Sequence, residues 1–172
     1  MAAHKLRFAL GVALQLLVLL AVAGSWQRTL ATGTVIQLET VPVDPRDLFR
    51  GDYVQLSYKI STLDLAALGS TGSFAPGSTV YVGLEERGPY WEATSVGTTH
   101  PGGLAIRGTV WTHFAGSGGG LGVRYGLESY FVPEGKGRLI ERAQRPVTVE
   151  VSVDGGGRAV IRRLLVDGQP VP

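Results

Sequence analysis

A chain of 172 residues, 44% hydrophobic and only 17% charged, has room for one globular domain and an apolar appendage. Its net charge of +2 is small and no run of Lys or Arg exceeds two, which excludes an ordinary nucleic-acid surface. With no cysteine, the chain has no thiol nucleophile, thiolate metal site or disulfide, and His4, His100 and His113 show no ligand spacing.

The first predicted element is a transmembrane helix. Residues 8–23 read FALGVALQLLVLLAVA, with Gln15 the only polar interruption. From Phe8 to Trp26 a helix would be roughly 28 Å long, enough for a hydrocarbon core. Lys5 and Arg7 ahead of it keep the N-terminus cytoplasmic, and Trp26 suits the far interface. The expected topology is a single pass through the cell membrane, with lipid contacted through residues 8–26 and the C-terminal part extracytoplasmic. Ala21-Val22-Ala23 before Gly24 also fits a signal-peptidase site, so a cleaved signal remains the competing reading. The long apolar run and its terminal Trp favour an uncleaved anchor. Residues 27–33 read as a short tether, and 34–172 as one extracytoplasmic domain.

That domain reads as all-β. Period-two alternation predicts strands at 34–40, 52–60, 79–86, 90–96, 104–114, 121–131, 147–153 and 158–166, separated by Gly, Pro and Asp turns. In 52–60, Val54, Leu56, Tyr58 and Ile60 share one face. In 104–114, Leu104, Ile106, Val110 and Phe114 share another. Val147, Val149, Val151 and Val153 repeat the scheme. Two short stretches, 63–68 and 137–143, read as helical. About eight strands and little helix predict an antiparallel sandwich or a partly closed barrel. The Gly-rich stretch 115–122 lacks the Gly-Lys-Ser/Thr ending of a phosphate loop and lies between strands, so it reads as a hairpin loop.

The most unusual segment is VPVDPRDLFRGDYVQLSY, residues 41–58. Asp44, Arg46, Asp47, Arg50 and Asp52 interleave acids and bases across nine positions. Pro42 and Pro45 disfavour a helix, and Gly51 and Asp52 suit a turn into the next strand. Leu56 and Tyr58 fall on the core face, whereas Tyr53 falls beside the charged loop. Local charge neutralisation in a structured turn explains the pattern most simply. A binding role for this loop is the functional alternative, because sites concentrate on charged loops of rigid sheets. Glu128 and Tyr130, on the polar side of their expected strand, and Glu134 just after it, could converge with the loop if the two strands are neighbours.

The run GDYVQLSY resembles, letter for letter, the pattern that names the GDYXXLXY family of membrane-anchored proteins. DPRDLFR and YGLESYFVPEG (residues 125–135) are similar to the same family, so the resemblance covers an anchor and nearly all of the exported domain. It implies a membrane-anchored protein, often encoded beside a multi-pass membrane protein, and it brings no catalytic residues and no cofactor.

Three function classes follow. The first is a non-enzymatic anchored domain that docks on an integral membrane protein or binds an envelope ligand. The second is a hydrolase of the Ser-Lys type, since PxDLxxGD-aromatic-VxL faintly resembles the strand entry of signal peptidases. Val43 stands where that family carries its serine, and Ser57 and Lys59, two apart on a strand, lie too far apart for proton transfer. The third is a Ca²⁺ or small-ligand site built from Asp44, Asp47 and Asp52 with Glu128 or Glu134, against which Arg46 and Arg50 compete.

Overall fold

The computed structural model describes residues 2–41, 53–114, 119–131 and 147–170. Helix α1 (Ala2–Thr32) comes first. Its stretch Lys5–Thr32 is long and apolar enough to cross a membrane. No charged residue lies between Arg7 and Arg28. Phe8 and Leu20 are 75% and 72% exposed, so this apolar surface is not covered by any of the described residues. Residues 27–33, expected as a tether, are the last six residues of α1 and the single residue Gly33.

The rest is mostly β. The first half holds β1 (Thr34–Val41), β2 (Tyr53–Gln55), β3 (Ser57–Tyr58), a 3-10 turn (Lys59–Ser61), β4 (Thr62–Asp64), β5 (Thr79–Arg87) and β6 (Tyr90–Gly97). The second half adds β7 (Ala105–Phe114), β8 (Gly120–Arg124), β9 (Ser129–Phe131), β10 (Val147–Val153), β11 (Ala159–Val166) and β12 (Gln169–Pro170). All pairings are antiparallel. A first sheet runs β12-β11-β10-β1-β3, a second runs β4-β8-β7-β5-β6, and β2 and β9 form a ribbon. Among the described residues the sheets do not close into a barrel, and the sandwich expectation holds.

The core lies between the two sheets. Ile36, Leu38, Val149, Val151 and Leu164 come from the first, and Val80, Val82, Ile106, Val110, Leu121 and Val123 from the second, all at most 1% exposed. Such side chains contribute roughly 1.5–3 kcal/mol each on burial, which lets a disulfide-free domain of this size stand alone.

Two expected strands are broken, and each break has a local cause. The 121–131 strand ends at Arg124 because Gly126 takes a left-handed φ of 77°. The chain then restarts as β9 against a different partner. The 52–60 strand divides at Leu56: its amide still donates to the Glu128 carbonyl at 2.9 Å, in line with the β2–β9 register, whereas Ser57 and Tyr58 pair with Val41 and Thr40 of β1. These two breaks add two strands, and β4 and β12, outside every expected range, bring the described residues to twelve against the eight or so expected.

Two further expectations need correction. The expected helix at 63–68 is absent. Leu63 and Asp64 belong to β4, and the Asp64 carboxylate accepts the Ala66 and Ala67 amides at 3.0 and 3.1 Å, closing a turn instead. In β7 a bulge between Val110 and Thr112 shifts the register, so Phe114 is 42% exposed and not on the core face. The other expected helix, 137–143, lies outside the described residues.

Candidate functional site

The named motif is first a piece of architecture. Leu56, Tyr58 and Ile60 are all buried, as their alternation predicts, while Gln55 and Lys59 face out. In twelve residues the chain runs from the ribbon (β2) through the first sheet (β3) to the second (β4). Two tyrosines tie this crossing to the Tyr125–Glu128 segment. The Tyr58 hydroxyl donates to the Leu127 carbonyl at 2.6 Å, and the Tyr125 hydroxyl donates to the Ile60 carbonyl at 2.6 Å. Each phenol satisfies a backbone oxygen that has no ladder partner there. Burial, reinforced by the negative charge of Glu128, pushes both phenols well above the ordinary tyrosine value, so both are neutral donors.

β2 pairs with β9 in the register Tyr53 with Phe131, Val54 with Tyr130 and Gln55 with Ser129. The two strands are therefore neighbours, the condition on which convergence of the two clusters depends. Tyr130 is half-buried and packs against the core, so it serves the scaffold more than an open surface. Glu128 sits in the break between β8 and β9, and its Oε1 accepts the Tyr125 amide at 2.6 Å. Asp44, Arg46, Asp47, Arg50, Asp52 and Glu134 lie outside the described residues.

Lys59 bears on the Ser-Lys reading. It falls in the 3-10 turn, and its Nζ lies 2.9 Å from Glu92 Oε1 and 3.2 Å from Glu39 Oε2. Hydrogen bonds to Glu92 and then Glu39 hold the ammonium above the usual lysine value. An ion-paired ammonium is a poorer base than a free amine, which weakens Ser57 and Lys59 as a nucleophile–base pair.

A second feature was invisible in the sequence. An open groove of about 750 Å³ runs between α1 and the outer face of the second sheet. It is lined by Val22, Ser25 and Trp26 of the helix, by Arg107, Thr109 and Arg124 of the second sheet, and by Glu128 and Arg158. Arg107 and Arg124 point outward because their strand neighbours Ile106 and Val123 point into the core. The Arg124 guanidinium rests over the Trp111 ring, 5.0 Å from its centroid. These arginines are isolated in the sequence, and the pairing of β7 with β8, which sets Thr109 opposite Arg124, brings their strands together.

The groove exists because α1 is held against the domain. Gly33 N–H donates to the Thr29 carbonyl at 3.0 Å, which also accepts the Ser152 hydroxyl at 2.7 Å. The Thr29 hydroxyl donates to Asp154 Oδ2 at 3.0 Å. Arg158 Nη1 donates to Ser25 Oγ at 3.0 Å, and Arg162 Nη1 to the Leu30 carbonyl at 2.9 Å. A Cβ on Gly33 would come within 2.6 Å of the Thr29 carbonyl and 2.9 Å of the Val153 carbonyl, so no other residue fits this junction unmoved.

Among the described residues no three His, Asp or Glu side chains gather into a metal-binding group. Among curated proteins and solved structures, nothing matches this chain. The family model described as GDYXXLXY protein matches residues 15–164, from within the apolar helix to β11, and the chain belongs to that family.

Proposed function

We propose that this chain is a single-pass membrane protein whose extracytoplasmic β domain is a non-catalytic docking module. It engages an integral membrane protein or an envelope ligand through the loop bearing Asp44, Arg46, Asp47, Arg50, Asp52 and Tyr53, flanked by Glu128, Tyr130 and Glu134. The supporting observation is the fixed joint between α1 and the sheet. A domain that only needs confinement to a membrane does well on a flexible leash. One that must present a face at a set height and angle to a neighbour needs a stiff connection. The adjacency of β2 and β9 favours a single surface from the two clusters. Lys5 and Arg7 ahead of the helix favour an external domain.

Capture of the full-length protein from its own membranes in mild detergent tests this. The wild type should bring down a membrane protein or envelope component, and Arg46→Gln with Arg50→Gln should reduce that recovery by about tenfold or more. A wild-type protein that returns alone would overturn the proposal.

A further inference from the structure

We infer that the groove beside α1 is a seat for an anionic phospholipid, its phosphate held by Arg107, Arg124 and Arg158 and its acyl chains running down the helix past Val22. This rests on the reading of α1 as a membrane anchor.

Three observations carry it. The first is charge. Three arginines face one glutamate in the lining, and that glutamate already accepts the Tyr125 amide. Among the described residues Arg107 and Arg124 form no ion pair, and Arg158 uses one of its five donors on Ser25. Guanidinium forks match phosphate oxygens bidentately. The second is height. The helical wall of the groove runs from Val22, the last residue but one of the apolar run, to Trp26, so it spans the level where hydrocarbon gives way to headgroups. The third is its mixed character. Val22 and Trp26 give an apolar flank that a free anion would not use and an acyl-glycerol body would.

Thermal unfolding of the full-length protein in a neutral detergent tests it. Dihexanoyl phosphatidylglycerol, dihexanoyl phosphatidylcholine and inorganic phosphate are added separately at equal concentration. The phosphatidylglycerol should raise Tm by about 2–4 °C at roughly ten times its Kd, with the other two giving little. Arg107→Gln with Arg124→Gln should abolish the shift, and Arg87→Gln, in the β5–β6 hairpin, should keep it. An equal shift with phosphatidylcholine or with phosphate overturns the seat, as does no shift, or one that survives the double variant. If the double variant does not fold, native mass spectrometry of the wild type in micelles with equal amounts of both lipids decides. Dominant phosphatidylglycerol adducts support the seat, and equal adducts overturn it. Carbonate extraction separates this from failure of the anchor. A chain that stays with the membranes yet ignores phosphatidylglycerol loses only the lipid seat. A chain released by carbonate loses both.

Discussion

Tyr58 and Tyr125 each send a ring through the core to a carbonyl on the other's segment, 69 and 65 residues away in sequence. Removing either hydroxyl leaves a buried oxygen without a donor. Tyr58→Phe and Tyr125→Phe should each lower stability by about 1–2 kcal/mol near neutral pH, measured by denaturant unfolding. The pH dependence has a definite sign. Both phenols are raised above the ordinary value of 10.0, so their contribution is complete below that value. Above it the unfolded chain ionises while the fold cannot, and stability falls by up to about 1.4 kcal/mol per pH unit for each tyrosine. The Phe variants should therefore start lower and decline less steeply above pH 10 or so. Equal slopes in wild type and both variants would refute the assignment. That Tyr58 belongs to the core was legible, because its place beside Leu56 in an alternating run marks the inner face. Its hydroxyl partner was not, since nothing local points to Leu127.

β10 and the last turn of α1 show how one element can mislead a periodicity argument. Val149, Val151 and Val153 alternate inward as read from sequence. Their neighbours Thr148, Glu150 and Ser152 should then meet water, yet all three are buried. The strand lies between β11 and β1, and the helix end lies over its outer face. Ser152 is satisfied there by Thr29, and Glu150 by a two-pronged contact with Arg163. No sequence pattern announces that a helix will fold back on a sheet it precedes by one residue. Two substitutions test the joint. Gly33→Val should cost about 1–3 kcal/mol and free the domain to swing, visible as faster proteolysis between α1 and β1. Asp154→Asn removes a carboxylate that burial alone would raise. The Arg158 and Gly156 amides, the Thr29 hydroxyl and the Arg158 charge outweigh that effect and hold it below its ordinary 3.8. Its contribution is complete above that value and lost as pH falls below it, so the variant should be less stable at pH 7 by about 1 kcal/mol and lose less on acidification. An acid limb identical to the wild type would count against this role.

At the scale of the whole molecule, composition and hydropathy order made the large division legible. An uncharged run from Phe8 to Gln27 precedes a domain of alternating strands, and the structure keeps that division. What gathers at the joint was not legible, because Arg107, Arg124 and Arg158 are single residues on three separate strands or turns. The sidedness of the molecule is a matter of charge, with Lys5 and Arg7 just ahead of the apolar run. A chain without cysteine makes this directly testable, since any thiol introduced is the sole target. Thr98 is exposed just beyond β6, far in sequence from both the joint and the motif. In intact cells a membrane-impermeant maleimide should label Thr98→Cys at once, and Ala2→Cys only after the membrane is opened with detergent. The opposite pattern would invert the topology and remove the external docking face. A mature product that begins at Gly24 and has lost the Ala2→Cys thiol would replace the anchor with a cleaved signal.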